Sequence, residues 1–224
     1  MVAIYLDSGD VSEMMKWTHV SGFTTNPSLA RKAGIKNYQE FAQAAIAAAS
    51  GKPLSLEVLA DDLYTMEQQA RIIASWGDNV YVKIPVTSTS GATTGYLVNK
   101  LAVDGVKINV TAVLTLDQIR HIARYLYAGT PAILSIFAGR IADTGRDPIP
   151  FITEALRSKY DKTKVLWAST RELYNLTQAE KCGCDIITVS PELLAKRHLI
   201  GKDLAQYSLD TVRQFYEDAK GIML

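Results

Sequence analysis

Eight short apolar runs recur along the chain, and segments with a helical period separate most of them. The runs are VAIYL (2–6), GFTT (22–25), LSLEVL (54–59), NVYVKI (79–84), KINVTAV (107–113), AILSIF (132–137), KVLWAS (164–169) and DIITVS (185–190). Their β-branched, apolar composition predicts buried strands. The intervening segments predict helices whose apolar stripes are Leu63, Met66, Ala70 and Ile73 in one case and Leu116, Ile119, Ile122, Ala123 and Leu126 in another.

Strands that alternate with helices indicate a parallel sheet with right-handed crossovers. The runs look apolar on both faces, as a sheet covered on both sides requires. Eight strands in 224 residues predict an α/β protein with one (β/α)8 TIM barrel domain over residues 1–224, near the short end of that fold's size range. A doubly wound open sheet is the alternative. It lacks support, because no G-x-G-x-x-G or G-x-x-x-x-G-K-[ST] loop follows any run.

Charge and composition exclude several classes of protein. The 24 basic and 23 acidic side chains give a net charge of +1 without a basic stripe, so we expect neither nucleic acid nor a membrane surface as a partner. The first ten residues lack the basic region of a secretory signal, and no apolar run approaches the roughly 20 residues that span a bilayer. Cys182 and Cys184 are too close for an ordinary disulfide. We therefore expect a cytoplasmic protein with two free thiols.

Polar residues fall where most of the predicted strands end. The carboxyl ends of barrel strands and the loops after them form the site in proteins of this fold. Convergence at one mouth is more informative than any single residue. The candidates are Asp7, Asn26, Glu57, Lys83, Asn109, Thr111, Ser135, Phe137, Arg140, Ser169 and Arg171.

Each candidate also has a purely structural interpretation. Asp7 lies in a segment rich in helix-capping residues, and Asn26 precedes a proline that is typical of a helix start. Glu57 and Lys83 could form a structural ion pair in the core. Asn109 and Thr111 could satisfy backbone groups at the strand end, and arginines after strands are often surface residues. His19, His121 and His198 share no spacing, and we expect neither a metal site nor a cofactor.

A lysine within a core strand is the candidate with the clearest chemistry. Burial disfavours the charged form, and a neutral lysine amine forms a Schiff base with a carbonyl substrate. The iminium accepts electrons, so the neighbouring C–C bond can break. The proton transfers need a carboxylate and an ordered water, for which Asp7, Glu57 and Thr111 are available. Arg140, Ser169 and Arg171 suit a phosphate group. This combination predicts imine-based aldol chemistry on a sugar phosphate.

The chain resembles the transaldolase family, in its short branch of about 220 residues that also contains the fructose-6-phosphate aldolases. The resemblance covers essentially the whole chain. It rests on the motifs LDSGD, GFTTNPS, VYVKIPVT, KINVTAV, FAGRIAD, WASTRE and LIGKDLAQYSLDTVRQFYEDAK, in the family's order.

The resemblance implies a role for each candidate. Lys83 is then the Schiff-base lysine, Asp7 is the acid/base, and Glu57 with Thr111 holds the catalytic water. Asn26, Asn109 and Ser135 bind the dihydroxyacetone part of the donor. The residues that bind the phosphate group are then Arg140, Ser169 and Arg171. Rings of five that stack into decamers are typical of this branch, so we expect a homo-oligomer in which a C-terminal helix, about residues 208–220, packs on a neighbouring subunit.

Two positions separate the activities within this branch. The fructose-6-phosphate aldolases resemble this chain but carry glutamine at the position of Glu57 and tyrosine at that of Phe137. The resemblance thus implies transfer of dihydroxyacetone from a ketose phosphate to an aldose phosphate, in the pentose phosphate pathway. The chain departs from the family at Thr170, where an aromatic residue is usual. The alternatives are an aldolase that releases free dihydroxyacetone, a barrel that only binds sugar phosphates, and a structural ring protein.

Overall fold

Eight parallel strands close into a barrel in the computed structural model, which describes residues 1–222. Each strand pairs with the next one along the chain, and the eighth pairs with the first. The predicted (β/α)8 barrel is confirmed. The strands are β1 Ala3–Asp7, β2 Gly22–Thr24, β3 Leu54–Glu57, β4 Val80–Pro85, β5 Ile108–Val113, β6 Ala132–Ile136, β7 Thr163–Trp167 and β8 Ile186–Val189.

Helices follow the strands around the outside of the barrel. They are α1 Val11–Lys16, α2 Pro27–Lys32, α3 Tyr38–Ala49, α4 Leu63–Ala74, α5 Gly95–Val103, α6 Leu116–Ala123, α7 Ala138–Asp143, α8 Ile149–Ser158, α9 Tyr174–Lys181, α10 Pro191–Leu194 and α11 Leu204–Asp218. A 3₁₀ turn spans Ala195–Leu199. Both predicted stripes face the sheet, except that Leu63 is largely exposed and Leu126 is buried beyond the end of α6.

Successive side chains of each strand point alternately into and out of the barrel. The outward set, such as Leu54, Val82 and Ile108, packs against the helices in the main hydrophobic core. The inward set forms a smaller apolar cluster that includes Tyr5 and Ile133, together with a polar group. The strands are therefore not apolar on both faces as predicted. Their buried inward polar residues are Thr24, Ser55, Lys83, Asn109, Thr111, Ser135 and Thr188.

Some boundaries differ from the predicted ones. β6 ends at Ile136 and β7 at Trp167, so Phe137 and Ser169 lie beyond their strands. The backbone of Ser169 is left-handed, with φ of 63°, which lies outside the β region of backbone conformation. α11 begins at Leu204, four residues before the predicted start, because the Asp203 side chain caps it by accepting a hydrogen bond from the Gln206 amide.

Both thiols are free, as predicted. Burial raises the pKa of Cys184 to about 12, so this thiol is unreactive at neutral pH. Within residues 1–222, every helix is too short or too polar to cross a bilayer.

Candidate active site

Lys83 lies on the inward face of β4 with only 6% of its surface exposed. Its Nζ is 2.9 Å from Oε2 of Glu57 and donates to the backbone carbonyl of Thr25 at 2.7 Å. Glu57 and Lys83 are direct neighbours in the β3–β4 register, so both side chains point to the same face. The ion pair that the sequence left open is therefore present. Because Nζ is paired, the amine must give up a proton before it can act as a nucleophile.

Asp7 ends β1 and points into the barrel. Its Oδ1 accepts a hydrogen bond of 2.7 Å from the Thr24 hydroxyl, which also contacts Thr188 at 2.6 Å. Asp7 does not cap α1, because Asp10 does so through the amide of Ser12. Burial raises the pKa of Asp7, while Lys83 and the Thr24 hydrogen bond oppose the shift. The carboxyl group is thus suited to hold and release a proton.

Two polar side chains on β5 and β6 are joined to one another. Asn109 is fully buried; its Nδ2 donates to Ser55 at 3.0 Å, and its Oδ1 accepts from Ser135 at 2.7 Å. Asn109 on β5 therefore links Ser55 on β3 with Ser135 on β6, and its side chain makes these bonds to side chains and not to backbone groups. Its Cα pairs with that of Lys83, so this group lies beside the lysine.

Thr111 is 2% exposed, and its hydroxyl has no hydrogen-bond partner among residues 1–222. The next residue, Ala112, has φ of 60°, and the β5–β6 register shifts at this point. A buried hydroxyl without a partner is costly. The hydrogen-bonding capacity of the Thr111 hydroxyl is therefore not used by the described residues.

Asn26 shows the structural role that the sequence left open. Its side-chain oxygen caps α2 by accepting from the Leu29 amide at 2.9 Å. Within residues 1–222 its amide nitrogen donates to no protein group. The cap fixes the orientation of the side chain and leaves two N–H donors for a ligand.

Arg140, Ser169 and Arg171 lie in the segments that follow β6 and β7. The Arg140 guanidinium is stacked over the Phe137 ring at 5.0 Å from the centroid, and Phe137 packs against the inward apolar cluster. Arg171 is half-exposed and binds Asp143 through Nε and Nη2, at 2.6–3.1 Å. This hydrogen bond holds the pKa of the Asp143 carboxyl below its usual value.

Gly139 joins these two segments. A Cβ at this position would overlap the Ser169 carbonyl group and touch the Arg171 side chain, so the glycine permits a close approach of backbones. The Gly139 amide also donates to the carbonyl of Ala168 at 3.3 Å. Thr170, the departure from the family pattern, donates to the Thr188 carbonyl at 2.5 Å and anchors the loop to β8.

The structure thus places Asp7, Glu57, Lys83, Asn109, Thr111 and Ser135 on the inward face of the barrel, and the two arginines outside it at the same end. Thr24, Ser55 and Thr188 also line this interior and were not among the predicted site residues, although their alternation with core residues is a detectable signal. Two further residues were not predicted: Asp143, which stands inside the FAGRIAD motif, and Tyr38, whose hydroxyl accepts from the Glu57 amide.

The candidate side chains lie at the carboxyl ends of the strands, which is where enzymes of the (β/α)8 barrel class carry their active sites. The sequence model described as Transaldolase/Fructose-6-phosphate aldolase matches residues 4–224. The chain belongs to this transaldolase/fructose-6-phosphate aldolase family.

Similar proteins of known sequence carry related names. A "Probable transaldolase" of Dehalococcoides mccartyi is 36% identical over 197 residues, which are 85% of this chain and 88% of that protein. A "Probable transaldolase" of Methanococcus maripaludis is 34% identical, over 86% of this chain and 87% of that one. The tryptophan synthase A-subunit of Pyrococcus furiosus has the same fold, with a TM-score of 0.58 and 13% identity over 92% of this chain and 93% of that one.

Proposed function

We propose that this protein is a Schiff-base transaldolase that moves a dihydroxyacetone unit from a ketose phosphate, fructose 6-phosphate or sedoheptulose 7-phosphate, to an aldose phosphate, erythrose 4-phosphate or glyceraldehyde 3-phosphate. One observation carries the proposal. In a chain of the transaldolase family, a lysine buried inside the barrel has a carboxylate at 2.9 Å, and a second carboxyl group, whose pKa burial raises, lies on the same inward face.

The interior carboxyl groups supply a route to the neutral amine. A proton that leaves Nζ of Lys83 passes to Asp7, Glu57 stays ionised, and the amine attacks the ketose carbonyl. The resulting carbinolamine loses water to give an iminium. A base takes the proton of the hydroxyl that becomes the aldehyde, the electrons of the breaking C–C bond pass to the iminium, and an aldose phosphate leaves. The three-carbon enamine that remains attacks the carbonyl carbon of the acceptor aldose, and hydrolysis of the new imine releases the product ketose and the lysine. We assign the proton transfers to Asp7, and we assign to Glu57 and the Thr111 hydroxyl the role of holding an ordered water.

The two arginines suit the phosphate of the substrate. Asp143 uses Nε and Nη2 of Arg171, which leaves both N–H groups of Nη1 for a ligand. Arg140 makes no hydrogen bond to the described residues and keeps its full guanidinium fork. The segments that carry the two arginines contact one another at Gly139, and two guanidinium groups are favourable for a dianionic oxygen group.

Glu57 and Phe137 favour transfer over release. A transferase must keep its enamine until an aldose arrives, so protonation of the enamine has to be slow. An ionised Glu57 holds water as an acceptor and supplies no proton, and Phe137 has no hydroxyl. We therefore expect the double substitution Glu57→Gln with Phe137→Tyr to raise the release of free dihydroxyacetone from fructose 6-phosphate relative to transfer.

A single assay separates this proposal from its alternatives. The protein is incubated with fructose 6-phosphate, with and without erythrose 4-phosphate, and parallel samples are trapped with borohydride. We expect slow turnover without the acceptor, fast turnover with it, and a three-carbon adduct on the Lys83 peptide that Lys83→Met abolishes. Rapid release without an acceptor would favour the aldolase. An absent adduct would favour a barrel that only binds sugar phosphates.

A further inference from the structure

Tyr38 reaches the wall of the barrel from the layer of helices outside it. It is the first residue of α3, and its ring packs against Phe41 and Trp76, with centroid separations of 6.0 and 6.3 Å. Its hydroxyl oxygen accepts a hydrogen bond of 2.8 Å from the backbone amide of Glu57, the last residue of β3.

This hydrogen bond replaces one that the sheet would otherwise make. The β2–β3 register pairs Thr24 with Ser55, and the Thr25 amide continues the ladder by donating to the Ser55 carbonyl. In a regular parallel ladder, the Glu57 amide would donate next to the Thr25 carbonyl. It donates to Tyr38 instead.

The Thr25 carbonyl is consequently left free to accept from Nζ of Lys83, at 2.7 Å. Nζ of Lys83 thus contacts both the Glu57 carboxylate and the Thr25 carbonyl. The Tyr38 hydroxyl binds the Glu57 amide, which in a regular ladder would donate to that same carbonyl. Burial raises the pKa of Tyr38 to about 12, against the opposing effects of the Glu57 amide and Thr25. The phenol is therefore neutral at physiological pH.

We propose that Tyr38 is a positioning residue for Lys83: by taking the Glu57 amide, its hydroxyl keeps the Thr25 carbonyl available to orient the lysine amine. The inference rests on the proposed function for its catalytic consequence. The hydroxyl does not touch the substrate, and it acts through the backbone of β2 and β3. Without it, the regular ladder partner of the Glu57 amide is the Thr25 carbonyl, and Nζ of Lys83 would have to share that oxygen and adapt to its altered position.

Tyr38→Phe tests this inference, because it removes one oxygen atom and keeps the packing of the ring. Trp76→Phe is the matched control, since it loosens the same aromatic cluster and leaves the hydroxyl in place. Two rates are measured at Lys83 by mass spectrometry: borohydride trapping with fructose 6-phosphate, and reductive methylation with formaldehyde. The second rate reports the orientation and pairing of the amine whether or not the protein is a transaldolase.

We expect Tyr38→Phe to change both rates about fivefold to tenfold, to lower kcat with little effect on KM, and to alter the pH profile of methylation. Trp76→Phe should leave both rates near those of the wild type. Unchanged rates in Tyr38→Phe, or the same change in both variants, would overturn the inference. If the wild type gives no sugar adduct, the proposed function fails, and the methylation rates still decide whether Tyr38 positions the lysine.

Discussion

Lys83 and Asp7 face the same interior but are held in different ways. The lysine has a charged partner at 2.9 Å, whereas the carboxyl group of Asp7 accepts from a neutral hydroxyl. An ionised carboxyl group that burial penalises destabilises the fold. The site therefore keeps Asp7 at a cost in stability, which is common for catalytic groups.

This cost predicts a pH-dependent effect of Asp7→Asn. Because the pKa of Asp7 is raised in the folded state, the carboxyl group favours folding below the unfolded pKa and loses that contribution as pH rises through the folded value. Asp7→Asn should therefore raise the free energy of unfolding at pH 7, and the gain should shrink below pH of about 4. Urea unfolding at both pH values measures this gain in stability, and an equal gain at the two pH values would contradict the prediction. The same substitution should lower the activity roughly 10²- to 10⁴-fold.

Arg171 should act mainly on phosphorylated substrates. Loss of one charge-assisted contact costs about 1.5–3 kcal/mol, so Arg171→Ala should lower kcat/KM roughly tenfold to a hundredfold for fructose 6-phosphate. The effect should largely disappear with an unphosphorylated donor. Asp143→Asn is the companion variant, because it keeps Arg171 and removes only the negative charge that orients the guanidinium. The loss in kcat/KM should therefore be smaller than that of Arg171→Ala. Equal losses on both donors would show that Arg171 serves the fold or the chemistry.

The strands and helices were predictable because burial leaves a periodic pattern in the sequence. The polar residues that interrupt that pattern at strand ends, such as Lys83 and Glu57, marked the site. Tyr38 and Asp143 could not be found in this way. Tyr38 is 19 residues from its partner Glu57, and Asp143 is 28 residues from its partner Arg171. Only the folded arrangement brings each pair together. The position of Ser169 beyond its strand depends on a left-handed backbone that serine does not signal.

The contact between α7 and the loop after β7 predicts the effect of a single methyl group. Gly139→Ala must displace the Ser169 carbonyl, because a backbone atom cannot give way as the end of a side chain does. We expect a loss of at least about tenfold in kcat/KM for fructose 6-phosphate, comparable to the loss of one phosphate contact. Ala142→Gly is the matched control, since it weakens the same helix at an exposed position. An equal effect of both variants would mean that only the stability of α7 matters.

The C-terminal helix α11 extends away from the core, and none of its residues Leu204–Asp218 is buried. It exposes a large apolar surface that includes Val212, Phe215 and Tyr216, which are 60–68% exposed. Exposed apolar surface of this kind marks an interface. We propose that α11 packs on a neighbouring copy of the chain, in a pentamer or a decamer.

Light scattering tests this assembly. The wild type should have the mass of five or ten chains, and Val212→Glu with Phe215→Glu should give smaller species, because charges on the buried face of an interface are costly. Tyr64→Glu is the control, since Tyr64 is 75% exposed on α4 and should leave the mass unchanged. A monomeric wild type would contradict the proposal.

The division of each strand into an outward and an inward face bears on how such a chain can change. Outward side chains such as Val82 and Ile108 carry the packing of the helices, whereas Thr24, Ser55 and Thr188 contact only the interior. Substitutions at these inward positions can alter which sugars fit without disturbing the layer that drives folding. A combinatorial library confined to inward positions other than the proposed catalytic and binding residues should consequently yield a high fraction of folded variants with new substrate preferences, and one confined to outward positions should not.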